Sequence, residues 1–320
     1  MLTAAVAVLT ATVAATGLVL KLLRRHAIFD RPNERSSHTE LTPRGGGIAV
    51  IAVLVVAWGL LAPAADRGEI YTVVLALLFL AGVSWVDDLR SLSPGIRLLA
   101  QLAAILPALY WMSEKTSIFQ GIIPAPFDLI LAGLIWVWFI NLFNFMDGID
   151  GISGVEAASI GGGIALLAVY RPDAGVDPLL AATVSAAAVG FLCWNWHPAK
   201  IFLGDVGSVP LGFLLGWLLL NLASGGAWAA AAILPLYYLA DATITLARRA
   251  LRGEMIWQAH REHFYQRAVR NGRSHAAVSL GVALCNVILV GLAMLSMTWP
   301  WAALTAAAAA VFALLVWLSR

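Results

Sequence analysis

Long uncharged runs follow one another along almost the whole chain, and they limit its fold more than any other feature. Eleven apolar segments can be drawn, near residues 2–20, 46–62, 70–85, 96–111, 127–143, 152–170, 178–194, 206–222, 225–246, 276–297 and 299–319. Most are about 16 to 21 residues long, close to the roughly 20 that a helix needs to cross a bilayer. In hydrocarbon every backbone amide must find a partner inside the protein, which leaves helices or closed barrels. A barrel would require short strands of alternating polarity, whereas these runs are continuous. The expectation is an all-α polytopic integral membrane protein of about eleven transmembrane helices, or ten if short runs merge, forming a single domain over 1–320. Charged residues make up 12% of the chain, about half the roughly 25% of a soluble domain.

The placement of positive charge orients the spans, because Lys and Arg accumulate on the cytoplasmic side. With the connections numbered alternately, Arg67, Lys115 and Arg171 fall on one side and the other 17 of the 20 Lys and Arg on the opposite side. That asymmetry predicts an N-terminus outside and a C-terminus in the cytoplasm. The first apolar run has no basic residues before it and is followed by Lys21, Arg24 and Arg25, the pattern of an anchor rather than a cleaved signal peptide. Cys193 and Cys285 lie in apolar runs without metal-ligand spacing, as packing residues do.

The same alternation puts the polar clusters on the cytoplasmic side, in connections near 21–45, 87–95, 144–151, 195–205 and 247–275. Asp87 and Asp88 end one span. Adjacent carboxylates repel, so a cation or metal should neutralise one of them, unless the pair is merely a solvated helix end. Asn144, Asp147 and Asp150 stand in Asn144-Phe145-Met146-Asp147-Gly148-Ile149-Asp150-Gly151. The two acids share a face if the segment is helical, while the glycines permit a tight turn instead. Asn195 precedes Phe202-Leu203-Gly204-Asp205-Val206-Gly207-Ser208, where Asp205 is placed to ligate a metal or to cap the next helix. Hard oxygen donors without a Cys/His set suit Mg²⁺ or Mn²⁺, which commonly work on diphosphates.

Basic loops complement these acids. Arg31, Arg35, His38 and Arg44 in one, and His260, Arg261, His263 and Arg267 in another, are candidates to hold phosphate, with the histidines also able to carry a proton. In the second loop Ile256, Trp257, Phe264 and Tyr265 alternate with basic residues, as in an interfacial amphipathic helix. Gly161-Gly162-Gly163 offers a close-packing surface within the chain or for a homodimer.

At these residues the sequence resembles the polyprenyl-phosphate N-acetylhexosamine-1-phosphate transferases, a family that includes phospho-MurNAc-pentapeptide transferase and the enzymes that initiate O-antigen. The resemblance runs in order through Asp30 to Arg35 with Thr42 to Gly46, Val86-Asp87-Asp88, Asn144 to Gly151, Phe202 to Ser208, and His260-Arg261-Glu262-His263. It implies transfer of a HexNAc 1-phosphate from a UDP-HexNAc to undecaprenyl phosphate with release of UMP, at a cytoplasmic site of the bacterial plasma membrane. Its partners would be these two substrates and membrane lipid, with no nucleic acid.

The resemblance also assigns roles. Asp205, with Asp88 and Asp147, would hold Mg²⁺, and Asp87 would deprotonate or position the lipid phosphate. Asn144, Asp147 and Asp150 would shape the nucleotide and metal pocket, with Asn195 and Phe202 against the uridine. His260 and His263 would meet the phosphates. A lysine found before the Thr-Pro pair in some relatives is replaced by Glu40-Leu41, which leaves its role to Arg44 or Arg35. The His-Arg-Glu-His form is closer to the O-antigen-initiating branch, whose donors include UDP-GlcNAc and 6-deoxy sugars such as FucNAc or QuiNAc.

A rival reading is an ion-coupled transporter with acids deep in the membrane, for which Asp241 is the main candidate. Another keeps the lipid acceptor and changes the nucleotide from UDP to CDP.

Overall fold

The computed structural model describes residues 1–30, 41–115, 117–255 and 260–320, which form thirteen α-helices and a two-residue-wide β-ribbon. Helices α1 (Leu2–Arg25), α2 (Gly47–Leu61), α3 (Arg67–Arg90), α4 (Pro94–Lys115) and α5 (Ala125–Phe145) come first, then α6 (Ile152–Tyr170), α7 (Pro178–Asn195) and α8 (Asp205–Leu222). A π-helical stretch, Ala223–Ala227, leads into α9 (Trp228–Ile233) and α10 (Leu236–Leu251). The chain ends with α11 (Phe264–Arg270), α12 (His275–Leu295) and α13 (Pro300–Ser319). The ribbon pairs Phe29–Asp30 antiparallel with Thr42–Pro43.

Helix α8 is the axis of the bundle. Every residue from Val206 to Leu222 is buried, and α2, α3, α5 and α6 pack around it. A helix apolar on all sides has no face to give to water and belongs at the centre of a bundle. Outer helices expose apolar side chains instead, as α4 does with Leu98, Leu99, Leu102 and Leu106. Such a surface suits lipid, because hydrocarbon exacts no penalty for it. Polar contacts tie helices together at specific points. The Trp58 indole N–H donates to Thr183 Oγ1 at 3.0 Å, Trp136 to the Phe213 carbonyl at 2.8 Å, and the Asn286 amide to Glu156 at 2.8 Å.

Among the described residues nine helices are long and apolar enough to cross a membrane, and the protein is polytopic. Two of the eleven apolar runs fall outside that set for physical reasons. Helix α2 is only 15 residues long. The run 225–246 is broken, because Gly226 takes a φ of 89° inside the π-helical stretch and Pro235, lacking an amide hydrogen, separates α9 from α10. Of the small-residue stripe, Gly161 and Gly162 face Ser185 of α7 and Gly163 faces Leu234 and Val290, so the whole stripe makes contacts within the chain.

Candidate active site

Two adjoining cavities at one end of the bundle collect the sequence clusters. The larger, about 580 Å³, is lined by Arg44, Asp147, Asp150, Asn195, Phe202 and Asp205 among others. The smaller, about 340 Å³, has an apolar wall from Leu80, Val83, Leu98 and Val209 and is also lined by His260 and His263. Asp87, Arg97, Asn144, Phe145 and Gln266 border both.

The position of Arg44 follows from backbone pairing. The Phe202 amide donates to the Pro43 carbonyl, the Gly45 and Gly46 amides donate to the Phe202 carbonyl, and the Gly47 amide donates to Leu203. This stitch sets Arg44 beside the start of α8, where its Nη2 lies 2.8 Å from Asp88 and 2.6 Å from Asp205. Asp88 in turn accepts the first amides of α8, from Asp205 at 3.1 Å and Val206 at 2.9 Å. An acid at the C-terminus of α3 opposes that helix's dipole, and contact with the N-terminus of α8 offsets the conflict. The cap of α8 therefore comes from Asp88, which leaves the Asp205 side chain to the cavity.

The adjacent carboxylates of Asp87 and Asp88 diverge, each towards its own arginine. Asp87 accepts from the Leu92 amide at 2.6 Å and faces Arg97 at 3.5 Å. Arg97 and Arg44 thus each face one carboxylate of the pair, and Arg44 is shared with Asp205.

Residues 146–151 form a turn, so the alternative in which Asp147 and Asp150 share a helical face is not the one adopted. Asn144 accepts from Ser208 Oγ at 2.6 Å, tying the end of α5 to α8. Asp147 is half-buried, and desolvation by burial, with Asp205 and Asp88 nearby, pushes its carboxyl up to about 7 against the pull of Ser153 and Arg44. Asp150 goes the other way. Burial pushes it up, but hydrogen bonds from His275 and His197 outweigh that and hold its carboxyl below the ordinary range. His197 Nδ1 is 2.6 Å from Asp150, and His275 Nδ1 is 3.2 Å from it. Three such groups can in principle take a metal. With both rings hydrogen-bonded to the carboxylate, they act here as a brace.

Asn195, expected against the uridine, lines the larger cavity while its side chain is engaged at both ends. It accepts from the Gly151 amide at 3.0 Å and donates to the Ile201 carbonyl at 2.9 Å. Its role in this geometry is to hold two walls together. Phe202 lines the same cavity.

His260 and His263 border the smaller cavity beside Asp87, with ring centroids 4.8 Å apart. Burial pushes His260 down to about 4, and His263 and Arg249 add to the shift. Phe264 and Tyr265 are buried, so these two aromatics turn into the protein rather than towards a membrane surface. Ile256, Trp257, Arg31, Arg35 and His38 lie outside the described residues. Sequence reasoning passed over His197, His275, Tyr265 and Gln266 as site residues. Of these, only the histidines carried a signal, as titratable groups at the ends of apolar runs.

Mg²⁺ is tested by the donor set at Asp88, Asp205 and Asp147. All are hard oxygens, and the Arg44 guanidinium sits between the first two where the site's negative charge calls for a cation. By donor type they suit the ion, although among the described residues the three groups whose donor atoms converge in this geometry are Asp150, His197 and His275.

A model of the family described as glycosyl transferase family 4 matches residues 70–223. The chain is similar to the undecaprenyl-phosphate alpha-N-acetylglucosaminyl 1-phosphate transferase of Salmonella typhi, 26% identical over 290 residues that cover 86% of this chain and 78% of that one. It is also similar to the decaprenyl-phosphate N-acetylglucosaminephosphotransferase of Mycobacterium tuberculosis, 29% identical over 314 residues, 84% of this chain and 76% of that one. A Streptomyces coelicolor protein named as a glycosyltransferase is 30% identical over 316 residues, 89% of this chain and 69% of its own.

Proposed function

Because the chain belongs to glycosyl transferase family 4, the family of polyprenyl-phosphate sugar-1-phosphate transferases, we propose that it moves a HexNAc 1-phosphate from a UDP-HexNAc to undecaprenyl phosphate and releases UMP. The observation that carries this reading is the pair of cavities joined at Asp87, Arg97 and Asn144. One is large and polar, suited to a nucleotide diphosphate sugar. The other has an apolar wall, suited to the first isoprene units behind a lipid phosphate.

In this arrangement an oxygen of the lipid phosphate attacks the phosphorus that carries the sugar, and the bond from that phosphorus to the UMP oxygen breaks. Both reactants are anionic, so the residues mainly neutralise and align charge. Asp87 faces both cavities and receives the acceptor's proton or orients its phosphate. Arg44 and Arg97 balance the clustered carboxylates, and Phe202 stacks on the base. Asp205, Asp88 and Asp147 would hold Mg²⁺, which when bound supplies positive charge to the diphosphate and the departing phosphate.

The same reading puts the site in the cytoplasm of a bacterium, on a polytopic chain with its N-terminus outside. The 17-to-3 distribution of Lys and Arg supports that orientation. The sequence's likeness to the O-antigen-initiating branch favours initiation of a surface glycan. On the transporter reading Asp241 was the deep acid, and its carboxylate instead has five protein groups within hydrogen-bonding distance.

The test is release of UMP from a panel of UDP-sugars by the purified protein with undecaprenyl phosphate and Mg²⁺, with the lipid product identified by mass spectrometry. Asp87→Asn, Asp205→Asn and EDTA should each abolish release. Activity that survives all three, or a preference for CDP-sugars, overturns the proposal.

A further inference from the structure

Asp241 lines neither cavity and is wholly buried in α10. Two of its five hydrogen bonds come from its own helix, from Tyr237 and Thr245, each at 3.3 Å. The other three come from the start of α11: the Phe264 amide at 3.0 Å, the Tyr265 amide at 3.2 Å, and His263 Nδ1 at 3.2 Å. Binding two amides is the work of a helix cap, which serine or asparagine would do as well. The contact with the imidazole is additional, and it makes a demand on the ring that a cap does not.

His263 Nδ1 has two competing uses. Its lone pair can accept the Gln266 amide and complete a capping box, or its proton can go to Asp241. The first use puts the ring proton on Nε2 and the second puts it on Nδ1. A buried carboxylate is the stronger partner for a proton, since a charged acceptor makes a bond roughly twice as strong as a neutral pair.

We propose that Asp241 is a positioning residue for His263: it fixes the ring proton on Nδ1 and presents a bare Nε2 to the cavity that His263 shares with Asp87 and Asn144. Nε2 in that state can take the last proton of a phosphate monoester, which leaves Asp87 to orient that phosphate, and Asp241 then balances the imidazolium that forms. The other connection of α10 to this segment keeps the ring in register. Arg249 and Arg252 at the end of α10 both pair with Glu262, beside His263. One helix thus holds the histidine from beneath and from the side.

The role in catalysis rests on the transferase reading above, whereas the position of the ring proton does not. The full-length protein labelled with ¹⁵N-histidine, in lipid bilayers at neutral pH, should show His263 protonated at Nδ1 and bare at Nε2, assigned by loss of the signal in His263→Gln. Asp241→Asn should move the proton to Nε2. In UMP release, Asp241→Asn and His263→Gln should each lower turnover by about tenfold or more with little change in donor KM, and the double variant should fall no further than His263→Gln alone. A wild-type Nδ1 without its proton overturns the proposal even if Asp241→Asn does not fold. So does a double variant whose losses multiply, the outcome of a purely structural role. If no UDP-sugar releases UMP, the transferase reading fails while the spectrum still judges the Asp241–His263 pair.

Discussion

Tyr265 donates its phenol hydrogen to the carbonyl oxygen of Phe145 at 3.0 Å, and its oxygen fills the space where a side chain at Gly148 would stand. The start of α11, which carries His263, is thereby locked onto the turn that carries Asp147 and Asp150. A Cβ at residue 148 would lie 2.1 Å from that phenol oxygen. Gly148→Ala should therefore displace α11, lower thermal stability by about 1–3 kcal/mol and suppress turnover. Tyr265→Phe alone loses one hydrogen bond, about 1 kcal/mol, and in the Gly148→Ala background it should restore part of the stability by removing the colliding oxygen. Melting temperatures of the single and double variants check this. Simple addition of the two losses would show that the two residues do not collide.

Asp88 has two duties, one of charge and one of capping, and two substitutions separate them. Asp88→Asn keeps an oxygen for the α8 amides, while Asp88→Ala keeps neither oxygen nor charge. Both should lose UMP release, because neither presents a carboxylate beside Asp205 and Arg44. Only the alanine variant should also lose about 1 kcal/mol of stability, roughly 2 °C in a chain of this size. Equal melting temperatures for the two variants would deny Asp88 its role as cap.

The acids of the site were legible in the sequence for a thermodynamic reason: an apolar chain carries an acid at the end of a span only where something compensates it. Asp87, Asp88, Asp147, Asp150 and Asp205 stood out against their apolar neighbours, and all but Asp88, which turns to Arg44 and the start of α8, line the cavities. Their partners were less visible. The contacts of His263 with Asp241, His275 with Asp150 and Tyr265 with Phe145 join residues from 22 to 125 positions apart, and no local periodicity records such pairing. Asn195 was legible as polar yet not as a brace, because both its partners are backbone groups. The fold shows the same division. Hydropathy marked the long helices, but a window average takes no account of the single missing amide hydrogen at Pro235 that divides α9 from α10.

His260 makes the protein's stability depend on pH in a defined direction. An unfolded histidine titrates near pH 6.5, whereas burial lowers His260 in the folded protein to about 4. Between those values the unfolded chain binds a proton that the folded chain does not, so stability is full above the window and falls as pH is lowered through it. Melting curves in detergent should show the wild type losing ground to His260→Gln from roughly pH 6.5 down to 4.5. Parallel curves would mean that His260 is not held neutral.

Gly47 and Gly207 meet at the N-termini of α2 and α8, where the two backbones touch. A Cβ at Gly47 would fall 2.2 Å from the Gly207 Cα, and one at Gly207 would fall 2.6 Å from the Gly47 Cα. Backbone cannot swing aside as a side chain can, so Gly47→Ala must separate the two helix starts. That movement loosens the 2.8 Å hydrogen bond from the Gly47 amide to Leu203, one strand of the stitch that sets Arg44 between Asp88 and Asp205. The variant should therefore lose about 1–3 kcal/mol of stability and raise the donor KM. Gly59, on the same helix, has nothing within 4 Å of its missing Cβ. Gly59→Ala should leave KM unchanged and hold or raise stability, since alanine favours a helix over glycine by up to about 1 kcal/mol. If Gly47→Ala behaves like Gly59→Ala in both measurements, the close contact of α2 with α8 does not position Arg44.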